Sequence, residues 1–183
     1  MRTSPKSLQR GITLVELIFA IAIAAMLCAV AMPSMSRLLQ SSRSCSAHNA
    51  LVAALNLARS VAVSRQSDVV VCPSIDQSHC ENTILWQHGW IVFQDADGDT
   101  TRDPDEALIS VAQSQTGMAI ASSRGRRHVT YRYDGSATGS NLTFTLCDRR
   151  GASEASTIVI SNAGRVRDGK ASASQAAAAC AAL

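Results

Sequence analysis

Residues 12–32 form an apolar run interrupted only by Thr13 and Glu16. Its length is close to the ~20 residues a helix needs to cross a bilayer. After Pro33 the pattern changes. Met35, Leu38, Leu39, Ala47, Leu51, Ala54, Leu55, Ala58, Val61 and Ala62 keep helical spacing among polar residues, with no Gly and no further Pro. This spacing predicts an amphipathic helix to about residue 64, its apolar stripe packed on whatever follows. Pro33 then kinks one long helix rather than ending it. Beyond residue 67, short β-prone runs at 69–72, 89–94, 107–112, 117–121, 128–133, 141–147 and 157–161 are separated by Gly, Asp, Ser and Asn. These runs predict an antiparallel head. The fold class is therefore α+β: a long N-terminal helix, membrane-spanning in its first half, packed on a β-rich head. No internal repeat is visible.

The same pattern divides the chain into a leader (1–11), a spanning half-helix (12–33), an amphipathic half-helix (34–66), a head (67–170) and an Ala/Ser-rich tail (171–183). The tail is low in complexity and is expected to be mobile except where Cys180 ties it down. About 120 residues remain for the head, enough for one core.

Charge is informative only when divided. The formal net charge of +3 equals the three basic residues of the leader, Arg2, Lys6 and Arg10, so the remaining side chains balance. Segment 34–67 holds Arg37, Arg43, Arg59 and Arg65 with no acid. Segment 68–106 is acidic, with Arg102 its one basic residue, and 122–183 is predominantly basic. Global charge steers nothing, whereas local asymmetry can. A basic leader places the N-terminus in the cytoplasm and everything after Met32 in the periplasm.

A lone carboxylate inside an apolar span is costly and needs a partner. If a peptidase cuts after Gly11, the freed amine of Ile12 lies in the same membrane layer as Glu16 of a neighbouring subunit, and the two charges neutralise each other on assembly. The alternatives are an ordinary secretory signal, which the Ala-rich text near Ala29 and Ala31 imitates, or a plain signal anchor. Neither of those requires Glu16.

The basic leader, Gly11 before the cut and Glu16 as fifth residue of the mature chain resemble the class III signal of type IV pilins and type II secretion pseudopilins. The family usually starts its mature chain with Phe, and here Ile12 stands in that place. The resemblance implies cleavage and N-methylation of Ile12 by a prepilin peptidase, an inner-membrane anchor and assembly with other pilin subunits. Further text resembles the FimT/GspH group of minor pilins and pseudopilins: Val-Cys-Pro-Ser at 71–74, Gly-Trp-Ile-Val-Phe-Gln-Asp at 89–95, the acidic text at 97–106, and Phe-Thr-Leu-Cys-Asp at 144–148. The implied head consists of two small sheets.

Four cysteines belong to the head. Cys72 with Cys80, and Cys147 with Cys180, each close a local loop and are favoured as disulfides in an oxidising periplasm, although four cysteines permit three pairings. Cys28 and Cys45 read as small packing residues. Zinc at Cys72, His79, Cys80 and His88 fits no common spacing.

Residues 162–170 read Asn-Ala-Gly-Arg-Val-Arg-Asp-Gly-Lys. Gly164 permits a turn, and alternation at Arg165 and Arg167 sends both guanidinium groups to one side if the stretch is extended. Such forks suit phosphate oxygens and read no base sequence, so a nucleic-acid backbone is the natural ligand. Arg149, Arg150 and Lys170 are expected to widen the patch. The bland reading is a solvated face, or pairing with Asp168 and Glu154. Gly-Arg-Val-Arg resembles the Gly-Arg-x-Arg motif with which FimT-type minor pilins bind DNA in natural transformation, which carries the role to Gly164, Arg165 and Arg167. Aromatic residues are too few here to suggest base stacking. A second cluster, Arg124, Arg126 and Arg127, reads either as added contacts or as a charged loop that keeps a strand edge soluble.

Asp95, Asp97, Asp99, Thr101, Asp103 and Glu106 fall on the ligand positions of a calcium-loop template. Thr100 occupies the position that should be Gly, and strands flank the loop where helices belong. The four histidines are scattered, and no nucleophile elbow or phosphate loop is present, so neither enzymatic activity nor a cofactor is expected. The functional expectation is a minor pilin that binds DNA for uptake. The rivals are a structural minor pilin that primes assembly and a type II secretion pseudopilin.

Overall fold

The computed structural model describes residues 13–183; Gly11 and Ile12, the expected processing site, lie outside them. Helix α1 spans Leu14–Arg65 and runs on through position 33. Thr13 opens it, its Oγ1 accepting the Glu16 backbone N–H at 3.2 Å. This is the N-cap geometry, and Glu16 in the first turn also complements the helix dipole. The chain forms two compact units, the first ending at Leu39 and the second spanning Gln40–Leu183.

Leu14, Phe19, Ile23 and Leu27 of the first unit are exposed. By length and composition this part of α1 can cross a membrane. Met35, Leu38 and Leu39 are exposed as well, and the buried part of the predicted stripe begins at Ala47. Cys28 and Cys45 are exposed free thiols, which corrects their reading as packing residues.

In the second unit, Ala47, Leu51, Ala54, Leu55, Ala58 and Ala62 are buried at three- and four-residue steps along one face of α1. Two antiparallel four-stranded sheets complete the head. The first has the order β3 (Leu108–Ala112), β2 (Trp90–Asp95), β1 (Asp68–Pro73), β5 (Val129–Tyr131). The second has the order β4 (Met118–Ser122), β6 (Leu142–Asp148), β7 (Ser156–Ile160), β8 (Val166–Lys170). Alternation predicts the first seven strands and not β8, where Val166 is the one apolar side chain.

One core joins the α1 stripe to Val69, Val71, Trp90 and Val92 of the first sheet and to Ile120, Phe144, Leu146, Ile158 and Ile160 of the second. Trp86 meets Phe144 edge-to-face at 4.7 Å, and its Nε1–H donates to Ser122 Oγ at 3.2 Å. Each such large side chain contributes about 2 kcal/mol by burial. Among the described residues, all the buried ones lie within Gln40–Leu183, so that unit carries its own core.

The C-terminal segment differs from its expectation. Helix α2, Ala173–Cys180, is closed by a capping box between Ser172 and Gln175, and buries Ala176 and Ala179. Alanine is the strongest helix former, the box satisfies the first free N–H groups, and Ala179 packs on Ala119 and Cys147. A composition that reads as loose is here a docked helix. The chain has disulfides Cys72–Cys80 and Cys147–Cys180, the second fixing α2 to β6.

Candidate nucleic-acid interface

Strands β7 and β8 form a hairpin in which Ile160 faces Val166 and Val159 faces Arg167. Ser161 N–H donates to the Arg165 carbonyl at 3.1 Å, leaving Asn162, Ala163 and Gly164 as a three-residue loop. Such loops need a left-handed residue, and Gly164 has φ +71°. A Cβ there would stand 2.0 Å from the Gly135 carbonyl oxygen and 3.2 Å from Tyr131 Cε1. Gly164 is thus demanded by backbone conformation and by close approach, whatever the hairpin binds.

Arg59 of α1 locks this approach. Its Nε donates to Gly135 O at 2.9 Å and its Nη2 to Ala163 O at 3.3 Å. Ala137 N–H donates to Asn162 O at 2.9 Å. The Tyr131 hydroxyl lies buried beneath without a partner among the described residues, and burial pushes its pKa well up. Sequence reading misses Arg59 because it counts as one of four helix arginines. The available signal was its place beside the stripe, between Leu55, Ala58 and Ala62.

Arg165 and Arg167 are exposed, and half-buried Val166 between them packs on the core. Strand alternation therefore puts both arginines on the outer face of the second sheet. Among the described residues neither side chain has a hydrogen bond or ion pair. The carboxylates offered by the bland reading are engaged elsewhere: Asp168 with His48 Nε2 at 2.9 Å, and Glu154 with Arg150 at 3.6 Å.

The widened patch does not form as expected. Arg150 grips Asp148 through Nε at 3.0 and 3.1 Å and through Nη2 at 2.6 Å. Burial pushes the Asp148 carboxyl up, but the Arg150 hydrogen bonds and charge outweigh it and hold the group below the usual carboxylate range. The Arg150 guanidinium is held protonated in turn, first by that hydrogen bond. Arg149 is exposed on the following turn, six residue steps along the sheet from the Arg167 row, about 20 Å. Lys170 is exposed, but alternation sets it on the Val166 and Asp168 side of β8. Of the five basic residues, the structure brings together Arg165 and Arg167.

In the acidic loop, Asp95 is buried and accepts N–H bonds from Gly98 at 2.8 Å and Thr100 at 3.2 Å. Glu106, also buried, accepts from Ala96 at 2.7 Å and Asp103 at 3.1 Å. Burial raises the Asp95 pKa, the two amides oppose this, and Glu106 and Asp97 add to it. Carboxylate oxygens of Asp95, Asp97 and Asp99 lie within 4.8 Å of one another. The inner two acids close the loop on its own backbone.

The second unit has the fold of known minor pilins. Two crystal structures of the Pseudomonas aeruginosa type IV minor pilin FimU align with TM-scores of 0.56 and 0.55 at 21% and 23% identity. They cover 81% and 74% of this chain, and 99% and 98% of theirs. The minor pseudopilin EpsH of the Vibrio cholerae type 2 secretion system aligns at 0.45 and 12% identity over 72% of this chain and 96% of its own, too distant to carry an argument. No curated protein sequence matches. Residues 6–32 match the prokaryotic N-terminal methylation motif. Residues 47–164, more than half of the sequence, match the model of the type II transport protein GspH. The chain belongs to the GspH family of minor pilins and pseudopilins.

Proposed function

We propose that this minor pilin binds nucleic-acid backbone through Arg165 and Arg167 and serves DNA uptake in natural transformation. A prepilin peptidase cleaves after Gly11 and methylates Ile12, Glu16 meets a neighbouring subunit's N-terminus in the inner membrane, and the head stands in the periplasm until the fibre carries it outward. The carrying observation is the pair of exposed guanidinium groups on one sheet face, with Asp148, Glu154 and Asp168 engaged elsewhere. Forked donors of fixed charge suit phosphate oxygens, and such binding is sequence-independent and salt-sensitive.

The test is anisotropy of a labelled duplex with wild type and Arg165→Ala/Arg167→Ala, both with intact disulfides, at low and moderate salt. Binding that weakens with salt and is lost in the variant supports the reading. Absence of binding by folded wild type at low salt overturns it. That outcome would leave a structural minor pilin or the reading that the family description favours, a type II secretion pseudopilin.

A further inference from the structure

The end of the head where α1 enters it carries cations that the DNA-binding reading leaves unused. Arg43, Ser46, Gln115, Thr116 and Met118 line one open hollow of about 390 Å³, all of it within the Gln40–Leu183 unit. Met118, the first residue of β4, is buried and gives the hollow an apolar wall. Gln115 is fixed: its backbone N–H donates to the Gln87 carbonyl at 2.7 Å and its side-chain amide to the Gln113 carbonyl at 2.8 Å. Arg43, Ser46 and Thr116 are exposed, and their side chains have no hydrogen bond or ion pair among the described residues. A guanidinium fork and two hydroxyl donors thus border one space without a partner.

No carboxylate is among the described residues that line the hollow. Residues 34–67 contain no acid, and neither do residues 107–133, so both walls come from acid-free stretches of chain. The acid that faces Met118 across the sheet is Asp148, and Arg150 holds it at 2.6 Å. Arg149, the next residue, is exposed and places a second cation at this end of β4 and β6. Such a donor set suits an oxyanion, and the fork of Arg43 suits phosphate oxygens.

The position of Arg43 in the chain points to the source of that phosphate. Met32 ends the apolar run and Gln40 begins the head, so only residues 33–39 lie between them. Seven residues reach at most about 25 Å. A chain anchored by its apolar run therefore presents the hollow to lipid headgroups at high effective concentration, whereas other phosphates must arrive from solution.

We propose that this hollow binds the phosphate of an anionic phospholipid headgroup before the subunit enters a fibre. Arg43 takes the phosphate oxygens, Ser46 and Thr116 donate beside it, and Arg149 adds attraction to the anionic surface. Neither Arg165 nor Arg167 takes part, so this inference stands apart from the DNA-binding reading.

The experiment follows hydrogen exchange at residues 113–118 of the full chain in lipid nanodiscs of phosphatidylcholine, alone or mixed with phosphatidylglycerol. Exchange is expected to be about 5-fold slower with phosphatidylglycerol, the effect of one arginine at an anionic surface. Arg43→Ala should lose this difference, while Arg43→Lys and Arg165→Ala/Arg167→Ala should keep it. Thr116→Lys should enlarge it, a gain that misfolding does not mimic. Equal exchange of wild type in the two lipids overturns the proposal. A difference that survives in Arg43→Ala, or that disappears in Arg165→Ala/Arg167→Ala, overturns it as well. Inorganic phosphate that slows exchange equally in phosphatidylcholine alone would assign the hollow to free phosphate instead of lipid. A DNA duplex that does so, with the effect lost in Arg43→Ala, would assign it to nucleic acid, and either result overturns the lipid source.

Discussion

Gly164→Ala separates what the fold requires of the Gly-Arg-Val-Arg text from what a ligand requires. The substitution holds a Cβ residue at φ +71°, which costs about 1–2 kcal/mol. It also places the methyl 2.0 Å from Gly135 O, so the hairpin must retreat by over ~1 Å to reach ordinary contact. Retreat weakens the Arg59 bond to Ala163 O and the Ala137 bond to Asn162 O, each contributing about 1 kcal/mol. The expected loss is therefore about 3–4 kcal/mol. Gly139 provides the control: its φ is +86°, and a Cβ there meets nothing within 4 Å. Gly139→Ala should cost only the conformational ~1–2 kcal/mol. Urea unfolding of the Gln40–Leu183 unit, followed by the fluorescence of buried Trp86 and Trp90, reads both variants. Equal losses for the two alanines would refute the packing argument.

Two further predictions concern the frame around the hairpin. Asp148→Asn should destabilise the same unit by about 3 kcal/mol at pH 7, because it removes the buried carboxylate, only 3% exposed, and leaves the Arg150 cation just the longer 3.6 Å contact with Glu154. The folded Asp148 pKa lies below its unfolded value, so the pair's contribution is complete above the unfolded pKa and vanishes as pH falls through the folded one. Wild-type and variant stabilities should therefore converge below about pH 4, and a constant gap in acid unfolding would contradict the assignment. Removing Cys147–Cys180, which spans 33 residues, should cost about 3.7 kcal/mol against about 2.5 for the 8-residue Cys72–Cys80 link. Hydrogen exchange across Ala173–Cys180 should accelerate only in the first case, and the reverse order of costs would argue against the loop-closure account.

The parts of this chain that announce themselves in sequence are those with a period. The stripe Leu51, Leu55, Ala58 and Ala62 and the alternating strands are buried as their spacing predicts, because burial of one face is what creates the spacing. β8 has no such signature. An edge strand with one apolar residue is held by its hairpin and by backbone pairing with β7, and alternation cannot see either. Helix α2 was hidden for another reason: uniform Ala has no polar face to contrast, although Ser172 and Gln175 already spell its cap. The shared face of Arg165 and Arg167 followed from alternation alone, whereas the diversion of Arg150 to Asp148 depends on a turn geometry that composition does not encode.

The bond between Cys147 and Cys180 has a mechanical consequence. An edge strand close to a chain end ordinarily frays first, and a pull on its side chains would peel it from its neighbour one pair at a time. Here the chain beyond β8 passes through a capped helix and is then covalently fixed to β6, the strand next but one. Load applied at Arg165 or Arg167 is therefore carried by a closed loop. Stripping β8 toward the C-terminus meets a covalent stop at Cys180, once its five cross-strand pairs with β7 and the helix beyond have given way.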